Sequence, residues 1–124
     1  MSGIRKLDIS SIVLIKPDQF AKYVPPLSDY RSASTPWIES EFRCLDLSTA
    51  RVTVGYWTGE PGSVQLDPWL YTEVCSIING RVAVDDLQGG RLEFGAGEGF
   101  VIPKGFVGEW VTLEPSAKIF LAIY

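Results

Sequence analysis

Glu73 is the side chain around which chemistry is most readily written in this sequence. It sits in the run Trp69-Leu-Tyr71-Thr-Glu73-Val-Cys75-Ser-Ile77. Residues two apart share a face of an extended strand, so Tyr71, Glu73, Cys75 and Ile77 point the same way, with Trp69 at the near end. A carboxylate, a phenol and a thiol then share one surface. Among aromatic side chains desolvation raises a carboxyl pKa and suits it to general acid/base work, with Tyr71 assisting; a bound cation reverses that shift. The opposing reading makes Glu73 architectural, hydrogen-bonded to Tyr71 or a backbone amide, because a buried acid is costly unless something pairs with it. Downstream, Gly108-Glu-Trp110-Val-Thr112 gives a second alternating set: if Gly108 and Thr112 face inward, so does Trp110. Trp57, between Gly55 and Gly59, closes the same space. Trp57, Trp69, Cys75, Trp110 and Thr112 are therefore candidate ligand contacts, with plain core filling the alternative for the indoles.

Other chemistries lack their residues. The chain has no His, and a first-row metal wants about three strong ligands converging on one point. Asp67 and Cys75 are the additions that could join Glu73 in a weak set, but Asp67 stands beside Pro68 at a bend. No metal and no cofactor is expected. Without a neighbouring imidazole or cation, Cys75 reads as a small buried hydrophobe and not a nucleophile. Lys104 and Lys118 are possible partners for an anion, but a single Lys is ordinarily a solvated surface group. Gly95, Gly97 and Gly99 precede no helix and belong to strand turns, not to a phosphate loop.

Eleven basic and fifteen acidic residues, net −4, are scattered singly. No basic stripe exists for phosphates, which excludes nucleic acid as a partner. The apolar runs 12–15 and 119–123 fall far below the roughly 18 residues of a membrane span. The opening Met-Ser-Gly-Ile-Arg-Lys has neither the apolar core nor the cleavage site of a signal peptide, so a cytoplasmic location is expected. Cys44 and Cys75 would there be free, buried thiols.

These groups must be positioned by strands. From Phe42 on, short β-branched and aromatic stretches recur every eight to twelve residues between Gly and Pro turns such as Glu60-Pro61-Gly62, Asn79-Gly80 and Gln88-Gly89-Gly90. Strands are predicted near 42–47, 52–58, 63–66, 71–79, 81–85, 91–94, 99–102, 107–113 and 117–124, with no helical period, which indicates a sandwich or barrel. Residues 1–41 differ. Pro17, Pro25, Pro26 and Pro36 rule out one long helix or central strands. Ile9, Ile12, Val13, Leu14, Ile15, Phe20, Tyr23 and Trp37 are too many apolar groups for a free tail. The segment is expected as an arm packed on the body or on a partner subunit, and the arm together with exposed sheet edges suggests a homodimer.

Two spacings carry a resemblance over about residues 55–115. Gly97, five residues, Pro103, one residue, Gly105 is similar to the second sequence motif of the cupins, and Gly62, Glu73 and Gly80 to the first. Cupins are small antiparallel barrels in which three His and one Glu commonly hold a divalent metal. Here Gly108 stands where the second-motif His would be and Thr112 where its Asn would be. The first-motif His positions hold Asp67 and Trp69, or Leu66 and Pro68 on the other spacing. With Gly55-Tyr56-Trp57 and Lys118-Ile119, the chain resembles a short branch that includes relatives of the ethanolamine-utilisation cupins, sometimes named after ureidoglycine aminohydrolase, in which Gly-x-Trp replaces the His. The resemblance implies an all-β, single-domain cupin, a double-stranded β-helix or jelly-roll barrel over 42–124, with the arm over 1–41. It implies turns kept and ligands lost, and His replaced by Gly108 opens room that Trp110 partly fills. Three functions follow: a metal-independent protein binding a small amine or amino-acid-like metabolite inside the barrel; an isomerase, lyase or hydrolase using Glu73 and Tyr71; or a structural or regulatory subunit with a vestigial pocket. On the first two, Glu73→Gln abolishes binding or turnover and leaves the fold intact.

Overall fold

Proline and glycine cut the chain into short extended pieces, and those pieces pair. The computed structural model describes residues 8–47 and 50–124. Among them lie β1 (Lys22–Tyr23), β2 (Ser32–Ala33), β3 (Glu39–Leu47), β4 (Val52–Gly59), β5 (Gly62–Leu66), β6 (Thr72–Asn79), β7 (Arg81–Asp85), β8 (Arg91–Gly95), β9 (Gly99–Ile102), β10 (Gly108–Thr112) and β11 (Ser116–Ile123). From β3 onward every strand is one that the pattern predicts, with ends shifted by at most three residues.

All pairings are antiparallel, and they build a six-stranded sheet in the order β1-β3-β4-β11-β6-β9 and a five-stranded sheet in the order β2-β5-β10-β7-β8. The Asn79-Gly80 turn passes the chain from the first sheet to the second. Gly80 has φ +86°, and a Cβ there would lie 2.1 Å from Ser116 Oγ, so a larger residue would both strain and clash. Alternation along β4, β6 and β11 sends Trp57, Cys75, Ile77 and Phe120 into the space between the sheets, where Val64, Leu66, Val82 and Trp110 meet them. Trp57 and Trp110 touch edge to face across that space, centroids 5.5 Å apart, while Phe94 of β8 stacks on Phe100 of β9 where the two sheet edges approach. Each indole so buried removes roughly 200 Å² from water, about 5 kcal/mol of hydrophobic stabilisation. The result is the all-β jelly-roll barrel.

Upstream of β3 the prolines confine the chain to two-residue strands and two short 3-10 turns, Ile9–Ser11 and Leu27–Asp29. β1 pairs outside β3 and β2 outside β5, so this segment edges both sheets. β3 itself begins at Glu39, earlier than the predicted 42, because Glu39 and Glu41 pair with Gly59 and Trp57 of β4. A register shift at Cys44 leaves Arg43 opposite Gly55 and Leu45 opposite Val54. Glu39, Glu41 and Arg43 thereby face the barrel interior. No helix among the described residues is long and apolar enough to cross a membrane. Cys44 and Cys75 are free and buried.

Candidate functional site

The space between the sheets narrows to a cavity of about 300 Å³. β6 contributes Glu73, with Trp69 and Tyr71 just before it; β4 contributes Trp57, β10 Trp110, β11 Lys118, and β3 Glu39, Glu41 and Arg43. Tyr30 and Trp37, from the segment before β3, complete the wall near Glu39.

On this wall the Lys118 ammonium donates to Glu73 Oε2 at 2.5 Å, and both side chains are buried. Glu73 also accepts from Trp69 Nε1 at 3.1 Å and from the Cys75 thiol at 3.3 Å. The ammonium lies over the Trp110 ring, 3.8 Å from its centroid, and 4.9 Å from that of Trp57. Burial works to raise the Glu73 pKa, but the charge and hydrogen bond of Lys118, helped by Trp69 and Cys75, outweigh it and hold the group below its ordinary value. Burial works to lower that of Lys118, yet the Glu73 charge and hydrogen bond push it above the usual lysine range. The pair is carboxylate and ammonium. Burial, reinforced by the Glu73 charge, drives the Cys75 thiol well up, so it keeps its proton. The Tyr71 phenol is likewise raised by burial and by Glu73.

A second carboxylate on the same wall is held differently. Glu39 Oε2 accepts from the Tyr30 hydroxyl at 2.5 Å and Trp37 Nε1 at 2.8 Å, and Oε1 accepts from Trp57 Nε1 at 2.9 Å. These three donors are neutral, and Glu39 is buried. Beside it, Glu41 pairs with Arg43 at 3.1 Å. Burial raises the Glu41 pKa, with Arg43 opposing. Trp57 touches both centres, its ring facing Lys118 and its N–H bonded to Glu39.

Of the residues singled out from sequence, Trp57, Trp69, Tyr71, Glu73 and Trp110 line the cavity. Cys75 and Thr112 do not: Cys75 lies behind Glu73, and Thr112 Oγ1 accepts from Trp110 Nε1 at 3.0 Å, fixing that indole from behind. Asp67 is exposed and off the lining. Lys118, read as a surface lysine, is the buried cation of the site, and that corrects the expected direction for Glu73. Gly108 also differs from expectation. A Cβ there would stand 2.3 Å from the Asp85 carbonyl oxygen and 2.4 Å from the Phe106 ring. The barrel has closed onto this position; removing a side chain has not left room for Trp110. Lys118 was identifiable by alternation, since it shares the face of Phe120 and Ala122 two and four residues on. Glu39 gave no comparable signal, because its partner Trp57 is eighteen residues away.

The donor set does not fit a divalent metal. Among the described residues no three His, Cys, Asp or Glu side chains cluster closely enough to hold one. Glu73 is engaged by an ammonium, and the Cys75 sulfur retains its proton.

Residues 48–120 match the family model described as the EutQ-like cupin domain. Among solved structures, the fold is similar to the EutQ protein of Clostridium difficile: TM-score 0.70 at 20% identity, covering 97% of this chain and 93% of that one. It is similar to the ethanolamine utilisation protein Q of Salmonella typhimurium: TM-score 0.66 at 15% identity, covering 90% and 92%. A Pseudomonas syringae protein of unknown function gives TM-score 0.70 at 18% identity, over 86% of this chain and 45% of the other. At these identities the likeness is one of fold. No curated protein matches the sequence.

Proposed function

The chain belongs to the EutQ-like cupin domain family, and on that footing we propose that it binds a small amine-bearing metabolite inside the barrel without a metal ion. The observation that carries this reading is the charge of the cavity wall. Asp29, Glu39, Glu41 and Glu73 face two cations, Arg43 and Lys118. Lys118 is matched to Glu73 and Arg43 to Glu41, which leaves Glu39 with neutral donors. A carboxylate fixed in place among Tyr30, Trp37 and Trp57 suits an ammonium group, which gains both a charged acceptor and aromatic faces. The volume lies at the small end of ligand cavities, roughly 300–1,000 Å³, so the ligand is a metabolite of few heavy atoms.

Glu73 then serves as a fixed part of the wall through Lys118, and Glu39 reads the ligand. This favours binding over acid/base catalysis by Glu73, whose carboxylate is held ionised by the ammonium. It also favours binding over a vestigial pocket, because a buried, ordered acid is costly to keep without use.

The test is calorimetric and thermal titration with small primary amines and with carboxylic acids of matched size. Ethanolamine, named in the description of the Salmonella neighbour, belongs in the panel. At ligand about one hundred times Kd the expected stabilisation is about 2.7 kcal/mol. Amines should stabilise and acids should not, and Glu39→Gln should lower amine affinity about tenfold or more. Preference for acids, or amine binding indifferent to Glu39→Gln, refutes the reading.

A further inference from the structure

Glu39, Glu41 and Arg43 face the cavity at alternate positions of β3, opposite Gly59, Trp57 and Gly55 of β4 in unbroken register. Their Cα atoms therefore advance about 7 Å per step along the wall. Arg43 reaches toward Glu41: its Nε donates to Glu41 Oε1 at 3.1 Å, and its Cζ lies over the Tyr23 ring, 3.9 Å from the centroid. Tyr23 stands opposite Glu41 in the pairing of β1 with β3. The guanidinium is thereby placed at the level of Glu41, one strand step of about 7 Å from Glu39.

A guanidinium carries five N–H donors in one plane, one on Nε and four on the two terminal nitrogens. Stacking on an aromatic ring occupies a face and leaves those in-plane donors free. On Arg43 only Nε is engaged; among the described residues no acceptor takes a hydrogen bond from Nη1 or Nη2. Arg91 shows the contrast, giving both Nε and Nη2 to the Asp85 carboxylate at 2.7 and 3.0 Å. The Arg43 side chain is 33% exposed and lines the cavity. Its charge is balanced by Glu41, but its fork is not filled, and a planar fork of this kind matches a carboxylate.

Resting on the amine-binding reading above, we propose that the ligand is a short ω-amino acid, its ammonium on Glu39 and its carboxylate on Nη1 and Nη2 of Arg43. Along β3 the groups open to a ligand run negative then positive, which is complementary to a chain carrying one charge of each sign. A diamine sets its second ammonium against the guanidinium, and a diacid sets a carboxylate against Glu39; like charges so close disfavour both. The spacing then fixes the length. The two ligand charges must stand apart by about one strand step, about 7 Å or a little less. A saturated chain advances about 1.25 Å per bond, which puts the nitrogen about 5 Å from the carboxyl carbon in a four-carbon ω-amino acid and about 6 Å in a five-carbon one. In any α-amino acid the separation is about 2.5 Å, too short to reach both groups.

Isothermal titration calorimetry of the full chain at neutral pH tests this with γ-aminobutyrate and δ-aminovalerate, the α-amino isomer norvaline, n-pentylamine and the diamine cadaverine. The better of the two ω-amino acids should bind about tenfold or more tighter than n-pentylamine and than norvaline. Arg43→Gln should remove that advantage without lowering the affinity for n-pentylamine, which has no carboxylate to lose, whereas Glu39→Gln should weaken both. Arg43→Lys keeps the charge and loses the fork; it should retain only part of the advantage, and it gives the readout if Arg43→Gln fails to fold. Glu39-dependent binding of n-pentylamine with no gain from an added carboxylate overturns this inference and leaves amine binding standing. Norvaline or cadaverine bound as tightly as the ω-amino acids, or a carboxylate gain untouched by both Arg43 variants, overturns it as well. Failure of every amine to bind removes the reading beneath it, and this inference with it.

Discussion

Replacing Glu73 by Gln is nearly isosteric, yet the structure makes it a destabilising change. It leaves the Lys118 ammonium buried without its carboxylate. Breaking a buried ion pair from one side costs about 3–5 kcal/mol, because the remaining charge keeps its desolvation penalty. Two features pull the value toward the lower end. The ammonium retains the Trp110 and Trp57 faces, at 3.8 and 4.9 Å, and the Gln carbonyl still accepts one hydrogen bond. We expect about 3 kcal/mol, which for a chain of this size lowers the melting temperature by roughly 10–15 °C. Lys118→Met should be comparably costly alone, whereas Glu73→Gln with Lys118→Met together should be milder than the sum, with a coupling of about 2 kcal/mol or more. The assay is a double-mutant cycle by urea unfolding, followed by tryptophan fluorescence. Additive single effects, or a melting shift for Glu73→Gln below about 3 °C, would refute the buried pair. The pH dependence gives an independent sign. In the wild type the Glu73 pKa is lowered on folding, so its contribution is present above the unfolded value of about 4.3 and lost as pH falls through the folded one. In Lys118→Met the opposing charge is gone and burial raises the pKa. Stability is then greatest below about 4.3 and falls as pH rises through the folded value. Melting temperature should therefore decline from about pH 5 to pH 8 in Lys118→Met and not in the wild type.

Trp110→Ala removes an indole that is 4% exposed, and should cost about 3–5 kcal/mol in urea unfolding; a cost below about 1 kcal/mol would mean that the ring is not core. Cys75 should resist thiol reagents in the folded protein, with labelling slowed about one hundredfold or more relative to the urea-unfolded chain, because burial and Glu73 keep the thiol protonated. Mass-resolved labelling at neutral pH reads this directly.

The strands were legible because their punctuation is chemical. Gly80 and the prolines admit few conformations, so the positions of β3 to β11 could be read from residue types alone. The facing of Glu73, Tyr71, Trp57 and Trp110 was legible by alternation. Lys118 could be read the same way from its register with Phe120 and Ala122, but its residue type says surface, and residue type was given the greater weight. Glu39 was hidden in another way. The three donors that hold it come from Tyr30, Trp37 and Trp57, and pairing between β3 and β4 is what brings the last of these near. Gly108 shows a third kind of failure. The residue type was read as a lost side chain that opens room, but whether room exists there depends on where the Asp85 carbonyl and the Phe106 ring settle, which no local pattern encodes.

The placement of Lys118 also bears on the proposed binding reading, in which Glu39 and not Glu73 meets the ligand. A carboxylate in the interior of such a barrel must be neutralised, by a metal ion, by a proton or by a fixed cation. β11 supplies the cation in this chain, and its ammonium is further stabilised by the two indoles it faces. Once Glu73 is committed to Lys118, a ligand that competed for it would have to displace an internal partner held at high effective concentration. In the proposed reading Glu39 imposes no such competition, because its donors are the neutral groups of Tyr30, Trp37 and Trp57. On the proposed reading, recognition then falls not to Glu73, at the position where cupins commonly gather their metal ligands, but to Glu39, where β3 and the segment before it converge.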